Sequence, residues 1–327
     1  MPDYKAIHGK NILHLASDLD NSEGEGQIWF NTATSDYKTI IGVGAWASGG
    51  ALNVGRYNAG GVGTSSATLL FGGFSTPPST RHAIAETYDG SSWTEVGDLN
   101  TAKNAMGSMG TQTAALSAGG ATPSVIDDVE SWNGASWTEI ADINTARSTM
   151  GGAGTSAAGL VYGGLTPTVT DIVESWNGTS WTEVGDLTAT MQLAATDGTQ
   201  TDAINAGGVY GGSASSVNVQ TWNGTGWTEV GNLNTGRNEG GCGGTGSLAL
   251  VFGGGGYDEE CESFDGTSWT EVADMTQSKS LYNSGAGKSI AAIAPGGQGS
   301  GVSTQVEVWS FITTTSPGAQ NVKIITD

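Results

Sequence analysis

A tryptophan-centred phrase recurs about every 44 residues along most of this chain. Trp-Thr-Glu followed by Val or Ile occurs five times, and the steps between successive tryptophans are 44, 44, 46 and 42 residues. A fixed period of about 40 to 50 residues with strand-like content is typical of a β-propeller blade and not of a helical solenoid. The five phrases begin at Trp93, Trp137, Trp181, Trp227 and Trp269.

Three further positions keep the same register. An aromatic residue lies five positions before each phrase, and a sixth follows later, giving Tyr88, Trp132, Trp176, Trp222, Phe264 and Trp309. Six glycine pairs recur, beginning at Gly72, Gly119, Gly163, Gly207, Gly253 and Gly296. A cation lies ten positions after the tryptophan at Lys103, Arg147, Arg237 and Lys279, with Met191 as the exception. Trp46 and Arg56 are also ten positions apart, so Trp46 is a sixth member of the repeated tryptophan series.

Each repeat contains four short strands, lettered A to D. In the second repeat we expect them near Ala102–Gly110, Ala114–Ala118, Val125–Trp132 and Ser136–Ala141, with an Asn-Gly turn before the last. Asn-Gly or Asp-Gly between aromatic-rich runs is the strongest short hairpin signal.

The strand count predicts how the ring closes. The sequence supplies six sets of A, B and C strands but only five D strands after them. The missing strand is therefore predicted at Ile41–Ala47, paired with Gln305–Trp309. Closure matters because an open ring leaves an unpaired edge. The predicted fold is all-β: a six-bladed propeller over residues 41–311, closed by an N-terminal strand, with short arms at residues 1–40 and 312–327.

The repeated tryptophans and cations have structural interpretations. We expect the C-strand aromatic and the D-strand tryptophan to stack between adjacent blades, because burying a large apolar side chain contributes roughly 1.5–3 kcal/mol. We expect the repeated cations to pair, between blades, with acids beside the outer strand. These acids are Glu95, Asp98, Glu139, Asp142, Glu183 and Asp186.

The two cysteines are expected to be free thiols. Cys242 and Cys261 fall on strands A and C of one blade, with strand B between them. Strands two places apart are separated by about 9–10 Å, whereas a disulfide needs Cα atoms within roughly 7 Å. One thiol is expected to be more buried than the other.

Charge restricts the partners. The chain has 32 acidic residues against 11 Lys and Arg, a net charge of −21. Such a charge argues against nucleic acid or an anionic membrane surface as a partner. No stretch approaches the roughly 20 apolar residues of a membrane-spanning helix, so we expect no membrane insertion. The polar start of the chain carries no secretory signal pattern.

The double glycine, the following aromatic and the later tryptophan resemble the kelch-type β-propeller over residues 41 to about 311. The aromatic residue that follows the double glycine is usually Tyr in that family and is mostly Trp here. The resemblance implies the same blade architecture.

The first 60 residues resemble structural proteins of tailed bacteriophages. Gly24–Thr32 and Ser35–Thr39 form a predicted hairpin similar to segments of phage fibre proteins, and Lys5–Gly9 and Ala45–Gly50 are similar to kelch-repeat proteins of marine cyanophages. The resemblance implies a virion protein that assembles in the host cytoplasm and is released by lysis. It also implies that residues 1–40 attach to other virion proteins, through the apolar run Ile28, Trp29 and Phe30.

Enzyme chemistry is not expected, and neither is a cofactor or a metal. A sialidase-like site needs clustered arginines, but three of the four arginines, Arg56, Arg147 and Arg237, occupy the repeated cation position. A copper site of the galactose oxidase type needs several His and Tyr ligands, and His82 is the single histidine in the propeller segment. No phosphate-binding loop, zinc spacing or nucleophile elbow is present.

The most divergent segments are the B–C loops, which all leave the blades on one face. Divergence on a constant scaffold is typical of recognition, although unconstrained loops diverge too. The candidate sugar-binding side chains are Phe74, Arg81, His82, Tyr210, Tyr257 and Asp258. The expected function is a phage tail or fibre propeller that binds host-surface glycan. Three alternatives remain: a capsid decoration protein, an intracellular protein-interaction propeller and a carbohydrate-active enzyme. The receptor and the oligomeric state are open.

Overall fold

The computed structural model describes residues 13–15, 28–31, 36–39, 42–210, 215–282 and 284–313, with side chains from residue 44 to 310 within those ranges. The chain divides into two compact units. One comprises Met1–Ala45 together with Phe311–Asp327, and the other is Trp46–Ser310.

Six four-stranded antiparallel sheets form the blades of a six-bladed β-propeller, as the repeat predicts. Blade 1 consists, from A to D, of β5 (Gly60–Thr64), β6 (Ala67–Phe71), β9 (Ala85–Tyr88) and β10 (Trp93–Val96). Blade 2 consists of β11 (Gly107–Thr111), β12 (Ala114–Ala121), β13 (Val125–Trp132) and β14 (Trp137–Ile140). Blade 3 consists of β15 (Gly151–Gly154), β16 (Gly159–Tyr162), β17 (Val173–Trp176) and β18 (Trp181–Glu183).

The remaining blades follow the same plan. Blade 4 consists of β20 (Ala195–Thr199), β21 (Asp202–Ala206), β23 (Val219–Trp222) and β24 (Trp227–Glu229). Blade 5 consists of β25 (Gly241–Gly244), β26 (Ala249–Gly254), β27 (Asp258–Phe264) and β28 (Trp269–Val272). Blade 6 consists of β29 (Ala286–Lys288), β30 (Ala291–Pro295), β31 (Val306–Thr313) and β4 (Gly42–Ser48).

The composition of blade 6 confirms the predicted closure. Its D strand, β4, comes from the N-terminal side and lies beside β31 in the sheet. The A strands surround a central channel, each in contact with the A strands of both neighbouring blades, and this ring closes between β29 and β5.

Three smaller sheets accompany the blades. The B–C loop of blade 1 forms a hairpin of β7 (Phe74–Ser75) and β8 (Thr80–Arg81), and in blade 4 β19 (Met191–Gln192) pairs with β22 (Val209–Tyr210). In the N-terminal unit β2 (Ile28–Asn31) and β3 (Asp36–Thr39) form the predicted hairpin. β1 (Leu13–Leu15) adds to β2 in parallel, which the sequence did not indicate. The described residues contain no helix capable of spanning a membrane.

Strand A is shorter than predicted. In blade 2 it begins at Gly107 and not at Ala102. The preceding residues form the connection between blades, because Lys103 makes the contacts described below.

Each C-strand aromatic faces the D-strand tryptophan of its own blade. The six ring pairs have centroids 4.9 to 5.7 Å apart. The expectation of stacking between blades is therefore wrong for this pair, since antiparallel register places the two rings directly opposite each other within one sheet. In alternate blades the D-strand tryptophan also contacts a B-strand aromatic of the preceding blade, in the pairs Phe71–Trp137, Tyr162–Trp227 and Phe252–Trp46.

The repeated cations are buried and pair with a glutamate on strand C of their own blade. In blade 3, Arg147 Nη1 lies 2.6 Å from Glu174 Oε1, and the backbone and side-chain nitrogens of Asn144 both donate to Glu174 Oε2 at 2.7 Å. We call this group of cation, Asn or Thr donor and glutamate the carboxylate node. The other charged nodes are Arg56–Glu86, Lys103–Glu130, Arg237–Glu262 and Lys279–Glu307.

The predicted pairing of cations with the outer acids is therefore wrong. Those acids, exemplified by Glu139 and Asp142, are exposed, whereas Arg147 is fully buried. A buried cation needs a partner that is buried with it. Strand C supplies that partner two residues before its aromatic.

The backbone of each cation position joins neighbouring blades. The carbonyl of Arg147 accepts a hydrogen bond from the second glycine of the pair in blade 2, Gly120, at 2.9 Å. Gly119 and Gly120 have φ angles of +58° and +107°, and a Cβ on Gly119 would lie 2.7 Å from the Arg147 carbonyl oxygen. Only glycine fits this close approach. In blade 6, Gly297 bonds the Arg56 carbonyl in the same way, across the point of closure.

Both cysteines are free thiols, as predicted. The expectation of unequal burial is wrong, because Cys242 and Cys261 are 1% and 0% exposed. Neighbouring blades cover both: Cys242 packs in a cluster shared by blades 4 and 5, and Cys261 Sγ accepts a hydrogen bond from Trp46 Nε1 of blade 6 at 3.2 Å.

Candidate ligand-binding face

The B–C loops and the connections between successive blades emerge on the same end of the propeller, which we call the loop face. Around the channel at this end lies a ring of six non-glycine residues with φ between 51° and 59°. They are Asn58, Ala105, Thr149, Leu193, Glu239 and Tyr282, one from each blade. We call them the mouth ring.

Backbone hydrogen bonds link the mouth ring from blade to blade. Ala105 N donates to Asn58 O at 2.9 Å and Thr149 N to Ala105 O at 2.7 Å, and the pattern continues to Tyr282 N, which donates to Glu239 O at 2.8 Å. Left-handed backbone costs about 1 kcal/mol or more for a residue with a Cβ. These hydrogen bonds offset that cost, so the ring presents six side chains at fixed positions.

The ring narrows the channel at the loop face. The space enclosed by Asn58, Thr149, Leu193 and Tyr282 with their neighbours is only about 10 Å³, which is room for about one water molecule. This space is too small to hold a sugar ring.

Three half-buried aromatic side chains cluster at the mouth ring, and one of them, Tyr282, belongs to it. Tyr57 has its ring centroid 5.7 Å from that of Phe74 and 5.4 Å from that of Tyr282. The Arg81 guanidinium lies 5.5 Å from the centre of the Phe74 ring, and Arg81 Nε donates to Asn104 Oδ1 at 3.1 Å. We call Tyr57, Phe74 and Tyr282 the aromatic cluster. It joins blade 1 to blade 6.

A carboxylate lies next to this cluster. Burial raises the pKa of Glu239, whose carboxylate accepts a hydrogen bond from the Tyr282 side chain. The Ser280 hydroxyl beside it donates to the Gly254 carbonyl at 2.9 Å. Burial and then the Glu239 charge raise the pKa of Tyr282. For Tyr57, burial and then the proximity of Tyr257 raise the pKa. The tyrosines are therefore neutral donors around one acid at physiological pH.

The structure brings four of the six predicted ligand residues to this area. Phe74 and Arg81 face each other across the hairpin of blade 1, and His82 follows them, with its Nε2 2.8 Å from Ser75 Oγ. Burial and then the Arg56 charge lower the pKa of His82. Tyr257, 46% exposed, lies close enough to influence the ionisation of Tyr57 and Tyr282.

The remaining two predicted residues, Tyr210 and Asp258, make other contacts. Tyr210 pairs with Met191 in the small sheet of blade 4, and its hydroxyl donates to Glu229 Oε1 at 3.0 Å. Asp258 begins β27, and its carbonyl accepts the Lys279 backbone N–H at 3.2 Å. The remainder of the blade 4 loop, residues 211–214, is outside the described residues.

Sequence reasoning missed Tyr57, Tyr282 and Glu239. These residues lie in the connections that follow the repeated cation, not in the B–C loops. A signal was present there, because the three residues after the repeated cation position vary between blades, from Tyr-Asn-Ala after Arg56 to Asn-Ala-Met after Lys103 and Ser-Leu-Tyr after Lys279. Ile28, Trp29 and Phe30 form most of β2, and their side chains lie outside the described part of the structure.

No protein-family model matches the chain, and no relative is found among curated proteins. Within the described residues, no three His, Cys, Asp or Glu side chains are grouped so that they could hold a metal ion. Function is therefore inferred from the geometry of the loop face.

Proposed function

We propose that this protein is a non-catalytic binding protein that recognises carbohydrate on the loop face of its propeller. The observation that carries the proposal is the aromatic cluster of Tyr57, Phe74 and Tyr282 beside the channel mouth. Tyrosine and phenylalanine rings provide flat apolar surfaces at modest entropic cost, and the tyrosine hydroxyls add a polar edge. The apolar faces of pyranose rings stack on such surfaces.

Polar groups around the cluster supply orientation. Glu239 and Asn58 belong to the mouth ring, and Arg81 lies over Phe74. Binding sites typically combine aromatic walls with a few fixed polar groups that set the ligand's orientation. The Tyr282 hydroxyl holds Glu239 by a hydrogen bond, which suits a group that positions a sugar hydroxyl.

Binding is a better fit than hydrolysis. Glycosidases use two carboxyl groups on opposite sides of the scissile bond, separated by about 5 to 9.5 Å. Glu239 is hydrogen-bonded to Tyr282, and the other charged side chain in contact with a ring of the cluster is the cation Arg81. This arrangement favours stacking and hydrogen bonding over acid–base chemistry.

We further propose that the protein acts in a phage particle, as a tail or fibre subunit attached to other virion proteins by residues 1–40. The support is the resemblance of the first 60 residues to phage structural proteins. Mass spectrometry of purified virions tests this setting. Detection of the protein at a fixed copy number supports it, and its absence from particles contradicts it.

A glycan array with a repeat-guided variant tests carbohydrate binding. Tyr57 and Phe74 form a backbone bridge whose counterpart in blade 2 is Asn104 and Ala121. Tyr57→Asn with Phe74→Ala therefore gives blade 1 the pair that blade 2 already uses. The wild-type protein is expected to bind a subset of glycans, and the double variant is expected to lose at least tenfold in affinity.

A control substitution on the opposite end of the propeller shows whether the loss of glycan binding is specific to the loop face. Leu248→Ala installs the residue of four other blades and is expected to leave the array profile unchanged. Equal binding by the wild type and the Tyr57/Phe74 variant contradicts the proposal. Release of sugar from a bound polysaccharide favours the enzyme alternative. A protein found in virions that binds no glycan favours capsid decoration.

A further inference from the structure

The end of the propeller opposite the loop face carries the A–B and C–D hairpin turns, and we call it the turn face. Two large apolar side chains are exposed here: Leu248 of blade 5 is 54% exposed and Ile290 of blade 6 is 53% exposed. The other blades hold small or polar residues at the position of Leu248, namely Ala67, Ala114, Ala158, Asp202 and Ala291. At the position of Ile290 they hold Ser66, Thr113, Ala157, Thr201 and Ser247. Paired apolar exposure at one place indicates a binding surface.

A carboxylate lies beside this pair. Asp197 is the central residue of strand A of blade 4, at the position where the other blades have Val62, Met109, Ala153, Gly243 and Ala286. Among the described residues lining the channel cavity, Asp197 is the one ionisable side chain. Its Oδ1 accepts the Gly198 N–H at 2.7 Å and its Oδ2 accepts the Gly244 N–H at 2.9 Å. In the part of the chain that the structure describes, no Lys or Arg forms an ion pair with it.

Asp197, Leu248 and Ile290 line one open cleft. The cleft has a volume of about 470 Å³, and Asp197 lies where it adjoins the channel. Each carboxylate oxygen keeps a free lone pair beyond its backbone hydrogen bond. We propose that this cleft binds a small organic ammonium ion, with the ammonium group on Asp197 and a branched apolar body between Leu248 and Ile290.

The charged groups around Asp197 are compatible with a cationic ligand. Cys242 and Tyr162 are titratable neighbours of Asp197. Burial and then the Asp197 charge raise the pKa of both well above the ordinary range, so both are neutral. Asp202 lies at the start of the adjacent strand. Lys288 lines the same cleft but is exposed, so water and salt screen its charge.

The ionisation of Asp197 gives the proposed binding a pH dependence. Burial raises the pKa of Asp197 to about 7. A cation binds the ionised carboxylate, whose fraction increases as the pH rises through this value. The affinity for an ammonium ion is therefore expected to rise roughly tenfold between pH 6 and pH 8. An alkylammonium ion keeps its charge over this interval.

Titration of the whole protein with isoamylammonium tests the proposal, with isoamyl alcohol as the uncharged analogue. Isothermal titration calorimetry is expected to show a dissociation constant of about 1 mM or below for the amine. The alcohol is expected to bind at least tenfold more weakly. No binding of the amine, or equal binding of the alcohol, overturns the proposal.

Repeat-guided variants locate the site. Asp197→Ala installs the residue of blades 3 and 6, and Ile290→Ser installs that of blades 1 and 5, so both are compatible with the fold. Asp197→Ala is expected to weaken amine binding at least tenfold and to abolish its pH dependence. Ile290→Ser is expected to weaken it roughly fivefold. Thr113→Ser in blade 2 and the Tyr57/Phe74 variant of the loop face should bind as the wild type does. If Asp197→Ala binds isoamylammonium as tightly as the wild type does, the proposed site is wrong. This outcome is independent of whether the loop face binds glycan.

Discussion

The interior of the blades and the loop face differ in how far they repeat. Inside, the same glutamate, cation and glycine contacts recur from blade to blade. On the loop face the mouth ring repeats its backbone geometry, but its side chains are Asn, Ala, Thr, Leu, Glu and Tyr. Packing therefore fixes the interior, whereas the backbone alone constrains the loop face. Its side chains are free to serve recognition.

Blade 4 shows which part of the interior is indispensable. Met191 replaces the cation and Gln220 replaces the glutamate, so both charges are absent together. Thr188 N still donates to Gln220 Oε1 at 2.9 Å, and Gly164 N still donates to the Met191 carbonyl at 2.7 Å. The backbone contacts of the node are retained without its charges. The charges behave as a pair that is kept or lost as a unit.

Breaking one charged node should have the largest effect on stability. Arg147→Met leaves Glu174 buried without its cation, which is expected to lower the free energy of unfolding by about 3–5 kcal/mol. Urea unfolding measures the loss. Arg81→Met makes the same change on the half-buried loop face and should cost less than about 1 kcal/mol. Equal losses for the two variants would contradict the distinction between the regions.

The carboxylate node of blade 6 should make the free energy of unfolding increase with pH above about pH 8. Burial lowers the pKa of Lys279 to about 8, compared with about 10.4 in an unfolded chain. Between these values the unfolded chain holds a proton that the folded protein has released. The free energy of unfolding therefore rises by about 2 kcal/mol from pH 8 to about 10. Lys279→Met with Glu307→Gln, the neutral pair of blade 4, should remove this rise in parallel urea titrations. Tyrosine ionisation contributes equally to both proteins and therefore cancels in the comparison. If the free energy of unfolding changes with pH by the same amount in both, the rise does not come from Lys279.

Converting blade 3 to the neutral form of blade 4 should nearly restore stability. Arg147→Met combined with Glu174→Gln removes both charges and keeps an acceptor for Asn144. Replacing a complete buried ion pair by neutral groups is often close to neutral, so the double variant should lie within about 1 kcal/mol of the wild type. A double variant as unstable as Arg147→Met alone would show that the charges do not act as a unit.

Substitutions in the aromatic cluster of the loop face should change stability least. Tyr57→Asn with Phe74→Ala changes two half-buried residues to the pair of blade 2 and should alter the free energy of unfolding by less than about 1 kcal/mol. Thermal unfolding followed by circular dichroism measures it. A larger loss would mean that the aromatic cluster belongs to the structural core.

Much of the fold was predictable from the sequence because its determinants repeat. The spacing of Trp93, Trp137 and Trp181 gave the blade length, and the unmatched Trp309 required a strand from the N-terminal side. The carboxylate nodes were not predicted. The sequence does show a glutamate two residues before most C-strand aromatics. However, exposed acids such as Glu139 lie closer to the cations along the chain than these glutamates do, so the exposed acids were predicted as the partners.

The aromatic cluster was only partly predictable. Phe74 and Arg81 lie in a divergent loop, which marked them as candidates. Tyr57 and Tyr282 come from opposite ends of the propeller segment and meet only because blade 6 closes on blade 1. The variable residues after the repeated cation position marked these connections as divergent, but nothing in that pattern shows that the Tyr57 and Tyr282 side chains meet.

Hydrogen–deuterium exchange in the presence of the glycan that binds most strongly on the array tests the location of recognition most directly. Bound glycan is expected to slow exchange in the loop-face segments 57–58, 74–82, 255–258 and 280–282. The turn-face segments 64–67, 245–248 and 288–291 should be unaffected. Protection confined to the turn face, or spread evenly over all six blades, would contradict the assignment of recognition to the loop face.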